Sequence, residues 1–218
     1  MGTFEEFLNL LLPSRCVLCR ALGSPVCSNC QESKFKAHKI VSRFNLQGSA
    51  ICEYTPDIAA LIHELKENSQ TEITKSMGLA ISRVVPKNCV ALVPMPSKTK
   101  SFEARGYNPA KLLAQSVVRQ IAKSENRLIQ VFDCLRISRE VQDQAALSGG
   151  PRRTNLVGAM SLKSAPQVPI VWLVDDIVTT GATLQEAARC LAEAGIGVGG
   201  FLVFAETLPK NRQKAHAK

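Results

Sequence analysis

The sequence predicts an α/β protein, a doubly wound parallel sheet with a small cysteine-rich module at its N-terminal end. Three observations predict it. From about residue 51, short apolar runs of strand length alternate with segments of helical periodicity, the pattern of right-handed βαβ units. "VPIVWLV" (168–174) is apolar without alternation, as a central strand buried on both faces requires. Residues 1–50 lack this rhythm and instead hold two CxxC pairs. The chain therefore divides into 1–50, an N-terminal helix and tetracysteine module; 51–208, the α/β domain; and 209–218, a basic tail with Lys210, Arg212, Lys214 and Lys218.

The elements follow in order. "MGTFEEFLNLLLP" reads as a short amphipathic helix using Phe4, Phe7, Leu8 and Leu11, stopped by Pro13. Glu5 and Glu6 stand where a signal peptide would be basic, and no segment approaches the length of a membrane span, so a cytoplasmic protein without membrane insertion is expected. Thr55-Pro56 pairs an N-cap with proline at the first helical position, and Ile58, Leu61, Ile62 and Leu65 then mark one apolar face. A second helix is predicted from Thr71 to about Val85, with Ile73, Met77, Ala80, Ile81 and Val84 inward. "CVALVPMP" (89–96) is a buried strand ended by prolines, and Asn108-Pro109 opens a helix burying Leu113, Val117 and Ile121. "LIQVFDCLRI" (128–137) is a strand, and 138–156 is a long polar segment centred on Gly149, Gly150 and Pro151. "ATLQEAARCLAEAG" is a helix with a Thr183-x-x-Glu186 capping box and Gly195 at its end, and "VGGFLVFAE" is the last strand.

An apolar fraction of 45% and a charged fraction of 21% are ordinary for a globular protein, so the core needs no disulfides. The net charge of +9 favours polyanions, nucleic acid or phosphorylated ligands. Of the eight cysteines, Cys52, Cys89, Cys134 and Cys190 lie among apolar neighbours and read as core residues. Cys16, Cys19, Cys27 and Cys30 form CxxC–x7–CxxC, in which two knuckles each supply two thiolates to one ion. Four thiolates favour structural Zn²⁺; a redox pair, for which one CxxC would suffice, and an iron–sulfur centre are the alternatives.

The most informative stretch is "VWLVDDIVTTGAT" (171–183). Gly181 lets the backbone of Thr179–Thr183 curl around a ligand, and the turn feeds a helix N-terminus whose free N–H groups favour an anion. Thr179, Thr180 and Thr183 add hydroxyls. Asp175 and Asp176 would repel a phosphate at contact distance, so they suit vicinal hydroxyls on another part of the ligand. A sugar diol joined to a phosphate satisfies both halves.

"WLVDDIVTTGAT" resembles the phosphoribosyl-pyrophosphate (PRPP) signature of type I phosphoribosyltransferases. With "LIHELK", "VPMPSKTKSFEARGYNPAKLLA", "QAALSGGPRRTN" and the tandem CxxC, the chain resembles the ComF/GntX family of competence-associated phosphoribosyltransferase-like proteins over about residues 5 to 206. The resemblance implies a type I phosphoribosyltransferase-like fold with an N-terminal zinc module. It implies that Asp175 and Asp176 hold the ribose 2′- and 3′-hydroxyls, and that Thr179, Thr180, Gly181, Ala182 and Thr183 cradle the 5′-phosphate. Lys98, Lys100 and Arg105 would meet the pyrophosphate, shared with Mg²⁺, with Arg105, Asp175 and Asp176 as the catalytic set. Gln144, Arg152, Arg153 and Asn155 would belong to a flexible loop closing over PRPP.

Position and electrostatics rather than a nucleophile would drive pyrophosphate from C1′, and His63 reads as structural, with no signal at His38 or His216. After the last strand only the basic tail remains, so no C-terminal hood is expected for the acceptor. The zinc module, with Lys34, Lys36, Lys39 and Arg43 and with Phe35 and Phe44 as stacking surfaces, would fill that place or simply cap the core. Two functions follow: Mg²⁺-dependent phosphoribosyl transfer to an unidentified acceptor, or a non-catalytic PRPP sensor binding single-stranded DNA among other DNA-uptake proteins. The acceptor and the oligomeric state are not readable from the residues.

Overall fold

In the computed structural model, residues 14–36, 38–139 and 156–208 are described. The helix expected before Pro13, the residues 140–155 of the polar segment and the basic tail lie outside them. The described elements are α1 (Ser28–Lys34), β1 (Lys39–Arg43), β2 (Leu46–Glu53), α2 (Pro56–Glu67), α3 (Ile73–Ser82), β3 (Ala91–Pro94), α4 (Thr99–Arg105), α5 (Pro109–Glu125), β4 (Gln130–Val131), β5 (Leu135–Ile137), β6 (Met160–Leu162), β7 (Ile170–Val178), α6 (Ala182–Glu193) and β8 (Gly197–Glu206). Six strands form one sheet in the order β1-β2-β8-β7-β3-β4, parallel throughout except for the β1–β2 hairpin. β5 and β6 form a separate antiparallel pair.

Both faces of the sheet are covered, which explains the unbroken apolar strands. Along β7 and β8 successive side chains alternate between two cores. Val174, Leu202 and Phe204 join Ile58, Leu61, Ile62 and Leu65 of α2, Met77 and Ile81 of α3, and Leu113, Val117 and Ile121 of α5. Val171, Leu173, Phe201 and Val203 join Leu184, Ala187 and Leu191 of α6 on the other face. The starts of α2 and α5 agree with the sequence reading. Thr55 Oγ1 accepts from the Ile58 N–H at 3.4 Å, and Asn108 Oδ1 accepts from Ala110 N–H at 3.0 Å and Lys111 N–H at 3.4 Å.

Four expectations are corrected. Residues 128–137 are two short strands, because β4 ends after Val131 and β5 leaves the main sheet to pair with β6. The loop after β3 contains a helix, α4, which ends on Gly106 at φ +75°. Thr183 and Glu186 form no capping box, since the cap position of α6 is Gly181 at φ +84°. Glu186 is buried instead, accepts the Met160 N–H at 3.2 Å and is gripped by Arg189 through two hydrogen bonds of 2.8 and 2.9 Å. Burial pushes its carboxyl up, but Arg189 and the Met160 N–H outweigh this and hold it below the usual range. Finally, the sheet begins ahead of residue 51. β1 and β2 turn at Phe44-Asn45, with Phe44 at φ +53°, and β2 pairs parallel with β8.

The cysteine segment packs onto the first core through Cys16, Val26, Cys30 and Phe35. Phe35 meets Phe204 edge-on, with ring centroids 4.8 Å apart at 89°. Being 7% exposed, it has no face left for a base, contrary to the stacking role considered above.

Candidate functional site

The strands switch direction of travel between β3 and β7: the chain leaves β3 through α5 to β4 on one side, and leaves β7 through α6 to β8 on the other. Such a reversal opens a crevice beyond the carboxyl ends of the strands. A cavity of about 440 Å³ occupies it. Asp175, Asp176 and Thr179 reach it from β7 and the turn after it, Met95 and Pro96 from the end of β3, and Lys98, Ser101 and Arg105 from the α4 region.

Asp175 and Asp176 are consecutive residues in the last part of β7, two residues before its end at Val178. The Asp175 carboxylate accepts the Asp176 N–H at 2.9 Å, and the Asp176 carboxylate accepts the Ile177 N–H at 3.0 Å. Burial, then the charge of Asp176 beside it, push the Asp175 carboxyl well above the ordinary carboxylate range. Asp176 is 5% exposed and is met by a residue to which no site role is given above, Lys66 near the end of α2. Its Nζ lies 2.5 Å from Asp176 Oδ2. That oxygen makes no well-directed hydrogen bond among the described residues, so the contact is chiefly an ion pair. Burial disfavours the Lys66 ammonium, but Asp176 and Asp175 outweigh it and hold its pKa above the usual value.

The "ARGYN" segment frames the opposite wall. Arg105 pairs with Glu67 at 3.7 Å, and its buried Nε has no hydrogen-bond partner among the described residues. Tyr107 donates through its hydroxyl to the Leu65 carbonyl, and Asn108 Nδ2 donates to the Met95 carbonyl at 2.9 Å. The contacts of Arg105 with Glu67 and of Tyr107 with the Leu65 carbonyl fix the end of α2, and with it Lys66, against the cavity. A signal for Lys66 was present: a buried acid pair needs a counter-ion, and "LIHELK" places one lysine a helical turn beyond Ile62. His63, in the same segment, is exposed and outside the cavity lining.

The turn is held from behind. Arg43, at the end of β1, donates from Nε to the Thr179 carbonyl at 2.7 Å and from Nη2 to Glu206 Oε2 and the Thr207 carbonyl, both at 3.1 Å. A Cβ on Gly181 would lie 2.6 Å from Arg43 Cβ, so glycine is required there by space as well as by φ. Thr180, Ala182 and Thr183 continue the turn into α6 outside the cavity lining, and Lys100 is exposed on α4, also outside it. Gln144, Arg152, Arg153 and Asn155 lie outside the described residues. Of the basic stretch, Lys34 pairs with Asp57 at 2.7 Å, Lys39 with Glu53 and Arg43 with Glu206, so three of its charges have carboxylate partners on the α/β domain.

The second constellation is the cysteine cluster, where Cys16, Cys19, Cys27 and Cys30 bring their sulfurs within 4.8 Å of one another. A tetrahedral ion with bonds of ~2.3 Å requires sulfurs ~3.8 Å apart, so a small contraction closes the site, and the set could hold zinc. The first knuckle closes through a bridge between Arg15 and Leu22, with Arg20 at φ +64°, and the second starts α1. Burial opposes ionisation of Cys16, but the N–H groups of Cys27, Cys19 and Leu18 bring its thiol down to about 6. Burial and the three neighbouring sulfurs push Cys30 up, the repulsion a cation would relieve.

No family model matches the chain. Curated proteins do. DNA utilization protein YhgH of Salmonella typhi is 27% identical over 197 residues, covering 83% of this chain and 80% of its own. Competence protein F of Haemophilus influenzae is 28% identical over 181 residues, 78% of this chain and 73% of its own. Competence protein ComFC of Bacillus subtilis is 28% identical over 187 residues, 82% of this chain and 72% of its own. These similarities support a ComF-family assignment. Each of these matches covers more than three quarters of this chain. Among the described residues no helix is long and apolar enough to cross a membrane.

Proposed function

We propose that this chain has a type I phosphoribosyltransferase-like fold and binds PRPP in the cavity at the strand switch point. The observation that carries the reading is the placement of Asp175 and Asp176 near the end of β7, with Lys66 paired to Asp176, Arg105 lining the same cavity and the Thr179–Thr183 turn leading into α6. A diol on the acids and a phosphate on the turn span this arrangement. The cations Lys98, Arg105 and Lys66 lie on the remaining walls, where a pyrophosphate group would need them. Mg²⁺, when bound with PRPP, would add positive charge to the pyrophosphate. Asp175 and Asp176 orient the ribose, and Arg105 and Lys98 stabilise the negative charge that accumulates on the departing group. Cys16, Cys19, Cys27 and Cys30 would hold a structural zinc that fixes the N-terminal segment. The names of the relatives support a role in the handling or uptake of DNA, and the +9 charge suits a polyanionic partner.

The test is calorimetric titration of the zinc-loaded full chain with PRPP and Mg²⁺, beside D175N/D176N. Removing two charge-assisted contacts should weaken binding by about 100-fold or more. Binding in both proteins alike would place PRPP elsewhere, and binding in neither would remove the reading. A second reading, favoured by the relatives' names, is a PRPP sensor that grips single-stranded DNA. Repeating the titration with a labelled oligonucleotide separates the two: affinity falling steeply with salt, without pyrophosphate release, supports the sensor.

A further inference from the structure

We infer that Lys66 is a resident counter-ion that closes the acid pair to free divalent cations, so that a metal ion enters this site only together with an anionic ligand. The inference rests on reading Asp175 and Asp176 as the ligand-binding acids. Adjacent carboxylates at a strand end are a ready oxygen site for a hard cation. Here that position is taken. Lys66 Nζ stands 2.5 Å from Asp176 Oδ2, on an acid whose side chain is 7% exposed, while the lysine side chain keeps 32% of its surface. The ammonium thus comes from the open side and covers an oxygen with no other hydrogen-bond partner among the described residues.

The surroundings hold it there. The Leu65 carbonyl, one residue earlier, is bonded by Tyr107, and Glu67, one residue later, pairs with Arg105. Arg105 and Lys66 then place two cations on one small cavity, which opposes a bare divalent ion by repulsion as well as by occupancy. An anionic ligand reverses the balance. Its phosphates offer the ammonium another partner within reach of a flexible four-carbon stem, and its hydroxyls replace the ammonium at the acid. Lys66 is in this sense a positioning residue that makes metal and ligand binding interdependent.

The experiment titrates Mn²⁺ into the zinc-loaded full chain without any phosphoribosyl ligand, by calorimetry and by loss of free-Mn²⁺ paramagnetic resonance signal. Wild type and K66R should bind weakly and alike, because both keep a cation. K66Q should gain about 10-fold or more in Mn²⁺ affinity, and K66Q/D176N should lose the gain. No gain in folded K66Q overturns the inference, as does a gain that survives D176N. Should K66Q not fold, acylation of Lys66 in the wild type and in D176N, followed by mass spectrometry, decides instead. Faster labelling in D176N supports the ion pair as the lysine's restraint, and equal labelling overturns it. None of these arms uses PRPP, so failure here is distinct from failure of PRPP to bind.

Discussion

Gly181 and Asp175 show how single residues at the site were shaped by what surrounds them. Gly181 combines φ +84° with the side chain of Arg43 packed against its missing Cβ. Changing it to alanine should cost about 1–3 kcal/mol and disturb the turn, seen as a lower Tm and, on the proposed function, as weakened binding of a 5′-phosphate ligand. Asp175 carries the opposite kind of strain. Its folded pKa lies above its unfolded one, so the folded state holds the proton more tightly. The stability this supplies is fully present below the ordinary carboxylate range, near 4, and is lost as pH rises through the raised folded value. Asp175→Asn removes the titration, so the Tm of the variant relative to wild type should rise with pH in a series from pH 5 to 9. A difference independent of pH would show that burial of the charge is not what the fold opposes.

At the level of elements, β1 does more than extend the sheet. Its last residue, Arg43, ties together the turn after β7, Glu206 at the end of β8 and the Thr207 carbonyl. The pair with Glu206 is largely dry, the side chains being 13% and 8% exposed. Arg43→Met strands a buried carboxylate and should destabilise by about 3–5 kcal/mol, while adding Glu206→Gln should return part of the loss in denaturant unfolding. The hairpin that delivers Arg43 was not legible in advance. Its turn, Phe44-Asn45, lacks the glycine that usually marks a positive φ, and "KIVSRF" reads as a basic stretch rather than a strand. By contrast α2 and α5 were legible because cap residues and an apolar face point to the same elements, and α3 was legible from its apolar face alone. The capping box at Thr183 misled for a physical reason: Glu186 serves Arg189 one turn on and the Met160 N–H of a distant strand, and the latter contact is not written in local spacing.

On the scale of the whole molecule, the cysteine module and the α/β domain share a core. Cys16 is fully buried, Cys30 is 8% exposed, and Phe35 rests on Phe204 of the central strand β8. Stripping a bound metal should therefore destabilise the sheet itself, not only a detached finger. Chelation is expected to lower the Tm of the single unfolding transition, with recovery on adding Zn²⁺. Two transitions, with only the smaller one responding to chelator, would separate the module from the fold.

The sequence by itself determined the alternation of strands and helices, the tetracysteine spacing and the acid pair followed by a glycine turn. Each is written in contiguous residues whose chemistry acts locally, through periodicity, caps or a short ligand spacing. Only the tertiary structure decided which cations face Asp176, what lies behind Gly181 and where the basic stretch spends its charge. Lys66 and Asp176 are distant in the chain, as are Arg43 and Thr179. Such pairs meet only in the folded chain, where strand order brings the ends of β3, β7 and β8 to one rim, and no local pattern records that order.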